Sequence, residues 1–296
     1  MKGRLRVQEF MVITEGGVPI FHYSVDETRK LDELLSGFLS AITSFASEFG
    51  ERSVQSLSFE GSEIMYEHGE SKVISILLVD SEAPKKVLRT VLKDLNRKFQ
   101  IKYQKEIKYD VPIEDAYTDF SSDVERALVY YEGILLITGS LSSYVIPSIK
   151  EQALQIAITR GGLLDDFHRD FGGTGTKVLD AIDGRKPIME ISQELGIEMD
   201  EAYEAVEYLV IWGVLSISRM CPKMEESDSR FDAYLDLIGL PSKDYQLLRR
   251  AIPLCNGTRS IPEVSEKLGV TSERLYDLLE KLGDQVEWNT VQVTGL

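Results

Sequence analysis

The strongest constraint on the fold of this chain is a repeat inside it. Residues 187–209, PIMEISQELGIEMDEAYEAVEYL, and residues 260–282, SIPEVSEKLGVTSERLYDLLEKL, share Ile-x-x-(Ile/Val)-Ser-x-x-Leu-Gly-(Ile/Val) followed by an amphipathic stretch. Recurrence of this kind marks one supersecondary unit used twice. In each copy the spacing predicts a helix (Pro187 to Leu195; Ser260 to Leu268), a turn at Gly196 or Gly269, and a second helix (Asp200 to Trp212; Thr271 to Leu282). A short helix is expected before each copy, at Lys177 to Ile182 and Asp244 to Ile252. Strands are expected after each, at Val214 to Ser218 and at Gln285 to Trp288 with Val291 to Thr294. Pro222 to Arg230, PKMEESDSR, reads as a polar linker between the copies.

The N-terminal third follows different rules. Phe10 to Ser24, FMVITEGGVPIFHYS, places paired glycines between two apolar runs, which is hairpin chemistry because glycine reaches positive φ without steric cost. Residues 5 to 15 and 18 to 23 are its arms. A long helix is expected from Asp26 to about Phe49, with Leu31, Leu34, Leu35, Phe38, Leu39, Ile42, Phe45 and Phe49 on one face. Strands at Val54 to Phe59, Glu63 to Glu67 and Lys72 to Val79 follow, separated by turn residues. The run Val73 to Val79 is almost continuously apolar, so it is expected at the centre of a sheet with helices on both sides. Ser81 and Pro84 then open a helix to about Lys102 that buries Val87, Leu88, Val91, Leu92, Leu95 and Phe99.

This order, with VITEGGVPIFHY and SKVISILLVD as its most telling stretches, resembles the longin/roadblock superfamily over about a third of the chain. The first strand has no helix before it, which is more like longin than roadblock. The two C-terminal copies resemble tandem winged helix-turn-helix domains. The expected fold class is α+β: a five-stranded antiparallel sheet covered by helices over 1–108, a mainly helical connector over 109–172, and winged helices over 173–222 and 223–296. Within the connector, Ile113 to Leu128 reads as an amphipathic helix, Ile134 to Thr138 as a short strand or buried segment, and Ile146 to Thr159 as helical. Gly161-Gly162 and Gly172-Gly173-Thr174-Gly175 punctuate its end.

Charge bears directly on function. Of the net −16, residues 111–296 carry −15, with 17 basic and 32 acidic side chains. The helix of the first copy that would enter a DNA groove holds Asp200, Glu201, Glu204 and Glu207 and no base. Its counterpart holds Glu273, Asp277, Glu280 and Asp284 against Arg274 and Lys281. Such surfaces repel a phosphate backbone, which favours protein-binding winged helices over DNA-binding ones. The basic feature lies in the N-terminal third, where Lys85, Lys86, Arg89, Lys93 and Arg97 are the candidate partner-binding residues. Lys85, Arg89, Lys93 and Arg97 recur every four residues along one helix face. A solvated face, docking against the acidic copies of the same chain, and contact with an acidic partner or anionic headgroups are the readings of that stripe. If it docks intramolecularly, changing those four to Glu expands the chain in low-salt solution scattering.

The sequence offers no grouping expected to catalyse. His22, His68 and His168 are far apart. Asp165, Asp166, His168 and Asp170 lack a zinc or EF-hand spacing, and Gly172 to Lys177 lacks the phosphate-loop spacing because Thr176 separates Gly175 from Lys177. That glycine stretch is expected to be a flexible boundary in which Thr174 or Thr176 caps the next helix. Cys221 and Cys255 are expected as free thiols. The N-terminal residues MKGRLRVQEF lack an apolar signal core and no run is long enough to span a bilayer, so a cytoplasmic location is expected, with at most peripheral membrane contact. The expectation is a non-enzymatic adaptor or regulator with no cofactor and no metal. The resemblance implies binding of a small GTPase, vesicle-trafficking-type machinery as in archaeal GTPase-associated proteins, and pairing through sheet edges or helices, which allows a homodimer. The alternative is a transcription regulator that pairs an N-terminal sensor with DNA-binding winged helices.

Overall fold

The structure is a computed structural model that describes residues 3–25, 56–69, 73–108, 116–160, 162–224 and 239–295. It is α+β and divides into two compact units, Met1–Leu136 with Gly295–Leu296, and Ile137–Thr294. Residues 116–136 thus group with the first unit and 137–172 with the second. The helix expected from Asp26 to Phe49 and the linker residues 225–230 lie outside the described residues.

The first unit contains a five-stranded antiparallel sheet of β1 (Val7–Thr14), β2 (Pro19–Ser24), β3 (Ser56–Phe59), β4 (Ser62–His68) and β5 (Val73–Asp80). Its order is β2-β1-β5-β4-β3, which puts the apolar run of β5 in the middle. The β1–β2 turn closes where the Gly17 amide donates to the Thr14 carbonyl at 2.9 Å, and Gly17 has φ 81°. A side chain there would be strained.

Helix α1 (Lys85–Lys102) buries Val87, Leu88, Val91, Leu92, Leu95 and Phe99, the stripe read from the sequence. Each such side chain contributes about 2 kcal/mol on leaving water. The helix packs on β4 and β5, where Ser75 donates to Asn96 Oδ1 at 2.9 Å and Asn96 donates to the His68 carbonyl at 3.3 Å, pairing polar groups that burial would otherwise penalise. On the alternate positions of the strands Met11, Ile13, Ile64, Tyr66, Ile74 and Ile76 form a second buried cluster. Beyond α1 follow α2 (Gln104–Lys108), a 3₁₀ turn (Thr118–Phe120) and α3 (Ser121–Thr138). Phe120 inserts among Phe10, Phe21 and Phe99, edge-on to the last two at 5.4 and 5.1 Å between centroids.

Ile134 to Thr138 is the last part of α3 and not a strand. The stretch expected to be helical from Ile146 divides into β6 (Val145–Ile149) and α4 (Glu151–Arg160). Residues 163–181 form α5 (Leu163–Ala181), two helical segments that meet at a non-helical Gly172 (φ 55°, ψ −144°), so the chain breaks at the first of the expected glycines, with Thr174 and Thr176 inside the second segment. Its N-cap is Gly162, without a side-chain cap. Thr176 bonds instead with His168 Nδ1 at 3.1 Å.

Both repeats fold as read, and alike. The first is α6 (Ile188–Leu195), a left-handed Gly196 and α7 (Met199–Ile211); the second is α9 (Ile261–Leu268), a left-handed Gly269 and α10 (Ser272–Glu280). In each, the amide after the glycine, Ile197 or Val270, donates to the carbonyl of a buried serine, Ser192 or Ser265, at 3.1 Å. That closure explains why Gly recurs at its position, since the turn needs a residue tolerant of positive φ. Helix α8 (Ser242–Ala251) precedes the second copy.

Strand β7 (Leu215–Lys223) is longer than expected and takes in Pro222 and Lys223 of the supposed linker. The two wing strands expected near the C-terminus are one, β8 (Glu287–Gln292). The sheet order is β6-β7-β8. The first half of β7 pairs with β6 and the second with β8, with Ser218 and Arg219 in both registers. Two apolar cores flank this sheet, one around Phe167, Val206 and Leu209 and the other around Leu248, Leu275 and Leu279.

Candidate interaction surfaces

Helices α7 and α10 each bury one face and expose the other. On α7, Ala202, Ala205, Val206, Leu209 and Val210 are buried while Asp200, Glu201 and Glu204 are exposed and Glu207 is half-buried. On α10, Leu275, Leu278 and Leu279 are buried and Glu273, Asp277 and Glu280 are exposed. Arg274, one of two cations in that stretch, is bound in an ion pair to the buried carboxylate of Asp244 on α8. On the outward faces of α7 and α10 acidic side chains therefore outnumber basic ones.

The basic stripe of α1 divides. Lys85 pairs with Glu63 of β4, whose side chain is 6% exposed, and so neutralises a buried carboxylate. Lys86 and Lys93 each engage in an interaction of their own, Arg89 and Arg97 are half-buried, and Arg97 acts electrostatically on Tyr131 of α3. Lys98 pairs with Asp94 at 2.7 Å. Lys102 reaches Asp119 at 2.8 Å and Asp123 at 2.7 Å, and the Tyr103 hydroxyl also donates to Asp119. Of the five candidate residues, Lys85 is thus an ion-pair partner within the first unit.

The histidines serve locally. His22 bonds Glu9 at 3.0 Å, His68 is pushed down by burial, and His168 meets Thr176. Arg169 lies 2.8 Å from Asp166 and 3.3 Å from Asp170, so part of the charge of the acidic run is offset by its own arginine. Among the described residues no group of three or more His, Cys, Asp or Glu is placed to hold a metal ion, and no helix is long and apolar enough to cross a membrane. Cys221 and Cys255 are free and buried, and burial pushes the Cys255 thiol up to about 12.

Sequence reasoning missed a cleft of about 260 Å³ where the chain entering β6, the middle of β7 and the start of α9 meet. Arg219 Nη1 there donates to Glu263 Oε1 at 2.9 Å. Glu263 Oε2 accepts from the Ser260 amide at 2.7 Å and hydroxyl at 2.9 Å, completing a capping box. The Ser-x-x-Glu spacing of 260–263 was a visible signal for the box. Arg219, alone in its stretch, gave none. No protein-family model matches this chain, and no curated protein matches it in sequence.

Proposed function

We propose that this chain is a non-enzymatic protein-interaction adaptor or regulator of a small GTPase or a trafficking-type complex. In this reading the first unit is a longin-like domain that binds through its sheet edges and helices, and the two repeats are winged helices that serve as protein-binding modules. The observation that carries it is the charge of α7 and α10. Both outward faces are acidic, and Arg274 is held by Asp244. A surface of that sign loses the counterion-release term that dominates DNA affinity, yet suits a basic or mixed protein surface.

Two measurements on the full chain separate this from a DNA-binding regulator. Small GTPases loaded with GDP or a GTP analogue are to be captured from cytosol by the immobilised chain, in a nucleotide-dependent way. In a gel-shift titration at physiological salt, duplex DNA is to remain unshifted. A salt-dependent DNA shift without GTPase capture overturns the proposal.

A further inference from the structure

Among the described residues four strands end the two sheets, and three of them are guarded. Strand β2 meets a register shift where Pro19 faces Ile13, β3 is four residues long, and β6 carries Pro147. Proline, shortness and bulges are the usual protections of an edge against stray strand pairing. Strand β8, EWNTVQ, has none of them. It holds no proline, its register with β7 is unbroken from Glu287 to Gln292, and its single charged residue, Glu287, is paired with Lys223 of β7 at 2.7 Å.

The ladder fixes which groups of β8 face outward. The Val293 amide donates to the Ile217 carbonyl at 2.9 Å. Hydrogen-bonded pairs alternate along an antiparallel ladder, so Val291, Asn289 and Glu287 also bond to β7. Trp288, Thr290 and Gln292 therefore turn their N–H and C=O groups away from it. Pro222, which lacks an N–H, stands opposite Trp288 in agreement with this. Among the described residues no strand or loop backbone pairs with that edge. It is open to solvent: Thr290 and Gln292 are exposed, and no residue of β8 is buried.

We propose that two copies of this chain join through the open edge of β8, antiparallel and related by a two-fold axis at Thr290. In such a pair the axis fixes the register. At Thr290 it uses every outward group, because Thr290 pairs with Thr290, and Trp288 with Gln292, of the other copy. Moved by one residue, it leaves Trp288 or Gln292 without a partner in β8. Charge permits this occupant. Glu287 then faces Val293 of the other copy, and the two Glu287 residues lie roughly 20 Å apart at about 3.4 Å per residue, beyond the Debye length of about 8 Å. The pair on the axis is threonine on threonine, a favourable cross-strand combination. Two six-residue strands make a small contact beside the roughly 1,200 Å² at which stable interfaces begin, and each copy brings a net charge of −16. The dimer is therefore expected to be weak and to tighten as salt screens the repulsion. The inference rests on the sheet alone and is independent of the adaptor reading.

Sedimentation equilibrium of the full chain is expected to show monomers and dimers in exchange, with association strengthening between about 50 mM and about 500 mM salt. Thr290→Lys sets two cations opposite each other on the axis and is expected to weaken association by about tenfold or more, even though it lowers the net charge of each copy. The position is read by cross-linking with a thiol oxidant. Thr290→Cys places thiols on strands whose Cα atoms are about 5.5 Å apart, within disulfide reach, whereas Glu287→Cys places them far beyond it. Cys221 and Cys255 are buried and do not compete. Oxidised Thr290→Cys is expected to run as a covalent dimer on a non-reducing gel and Glu287→Cys as a monomer. A chain that stays monomeric at every concentration and salt leaves the edge to a different strand. Association untouched by Thr290→Lys, or a cross-link at 287 as ready as at 290, places the contact elsewhere. Each of these outcomes overturns the proposal.

Discussion

Asp244 shows how a single residue gains its role from a partner distant in sequence. Its side chain is 6% exposed and its ion-pair partner, Arg274, is 49% exposed. Removing one member of such a pair strands a desolvated charge, whereas removing both leaves none. Arg274→Ala is therefore expected to destabilise the second unit by about 2 kcal/mol, measured by urea unfolding, and Asp244→Asn combined with Arg274→Ala by less than the single change. A double variant that loses as much as Arg274→Ala alone would show that the stranded Asp244 carboxylate carries no desolvation penalty. From sequence, Arg274 was visible as a cation on an otherwise acidic helix. Its use was not, because periodicity says which face a residue occupies and nothing about which neighbouring helix supplies a carboxylate. The same holds for Lys85, read as part of a surface stripe and found on the buried Glu63.

Elements with strong periodicity were the legible ones. The stripe of α1 is buried as read, and the continuous run of β5 lies in the middle of its sheet with α1 packed on it. Segments between 134 and 160 were misread because short apolar runs fit strand or helix equally, whereas the glycine run did mark a break, at Gly172. Gly175 lies where an added Cβ would be 2.6 Å from Phe171 Cβ, so its reason is packing within α5. The tether from the end of α1 to residues 118–123 depends on pH in a definite sense. Hydrogen bonds from Lys102 and Tyr103 hold Asp119 below its ordinary 3.8; for Asp123, burial works upward but Lys102 and Arg126 prevail. Depressed carboxyls stabilise above their unfolded pKa and lose that contribution as pH falls through the lower folded values. The melting temperature of the unsubstituted chain is thus expected to exceed that of Lys102→Met at neutral pH, by at most about 1 kcal/mol in stability because these pairs are largely exposed. The difference should close as pH drops below 3.8. A gap constant from neutrality into acid would refute the linkage.

At the scale of the molecule, the duplication was legible and its consequence was not. Two copies of one motif suggest two domains joined by a linker, but β7 pairs with β6 along its first half and with β8 along its second. The chain carries two tryptophans, Trp212 after α7 and Trp288 in β8, one beside each core. Trp212→Phe and Trp288→Phe variants each leave a reporter in one half. Their urea transitions by fluorescence are expected to have coincident midpoints and slopes, because neither core unfolds without opening the common sheet. Separated midpoints would mean that the copies fold independently. Nothing in the repeat signature announces the shared strand, since pairing between distant segments leaves no local periodicity. Strand β7 also limits how the chain can be divided. Deleting the second copy together with β8 would bare the edge of β7 along its second half, so the first copy cannot be cut free without exposing unpaired backbone.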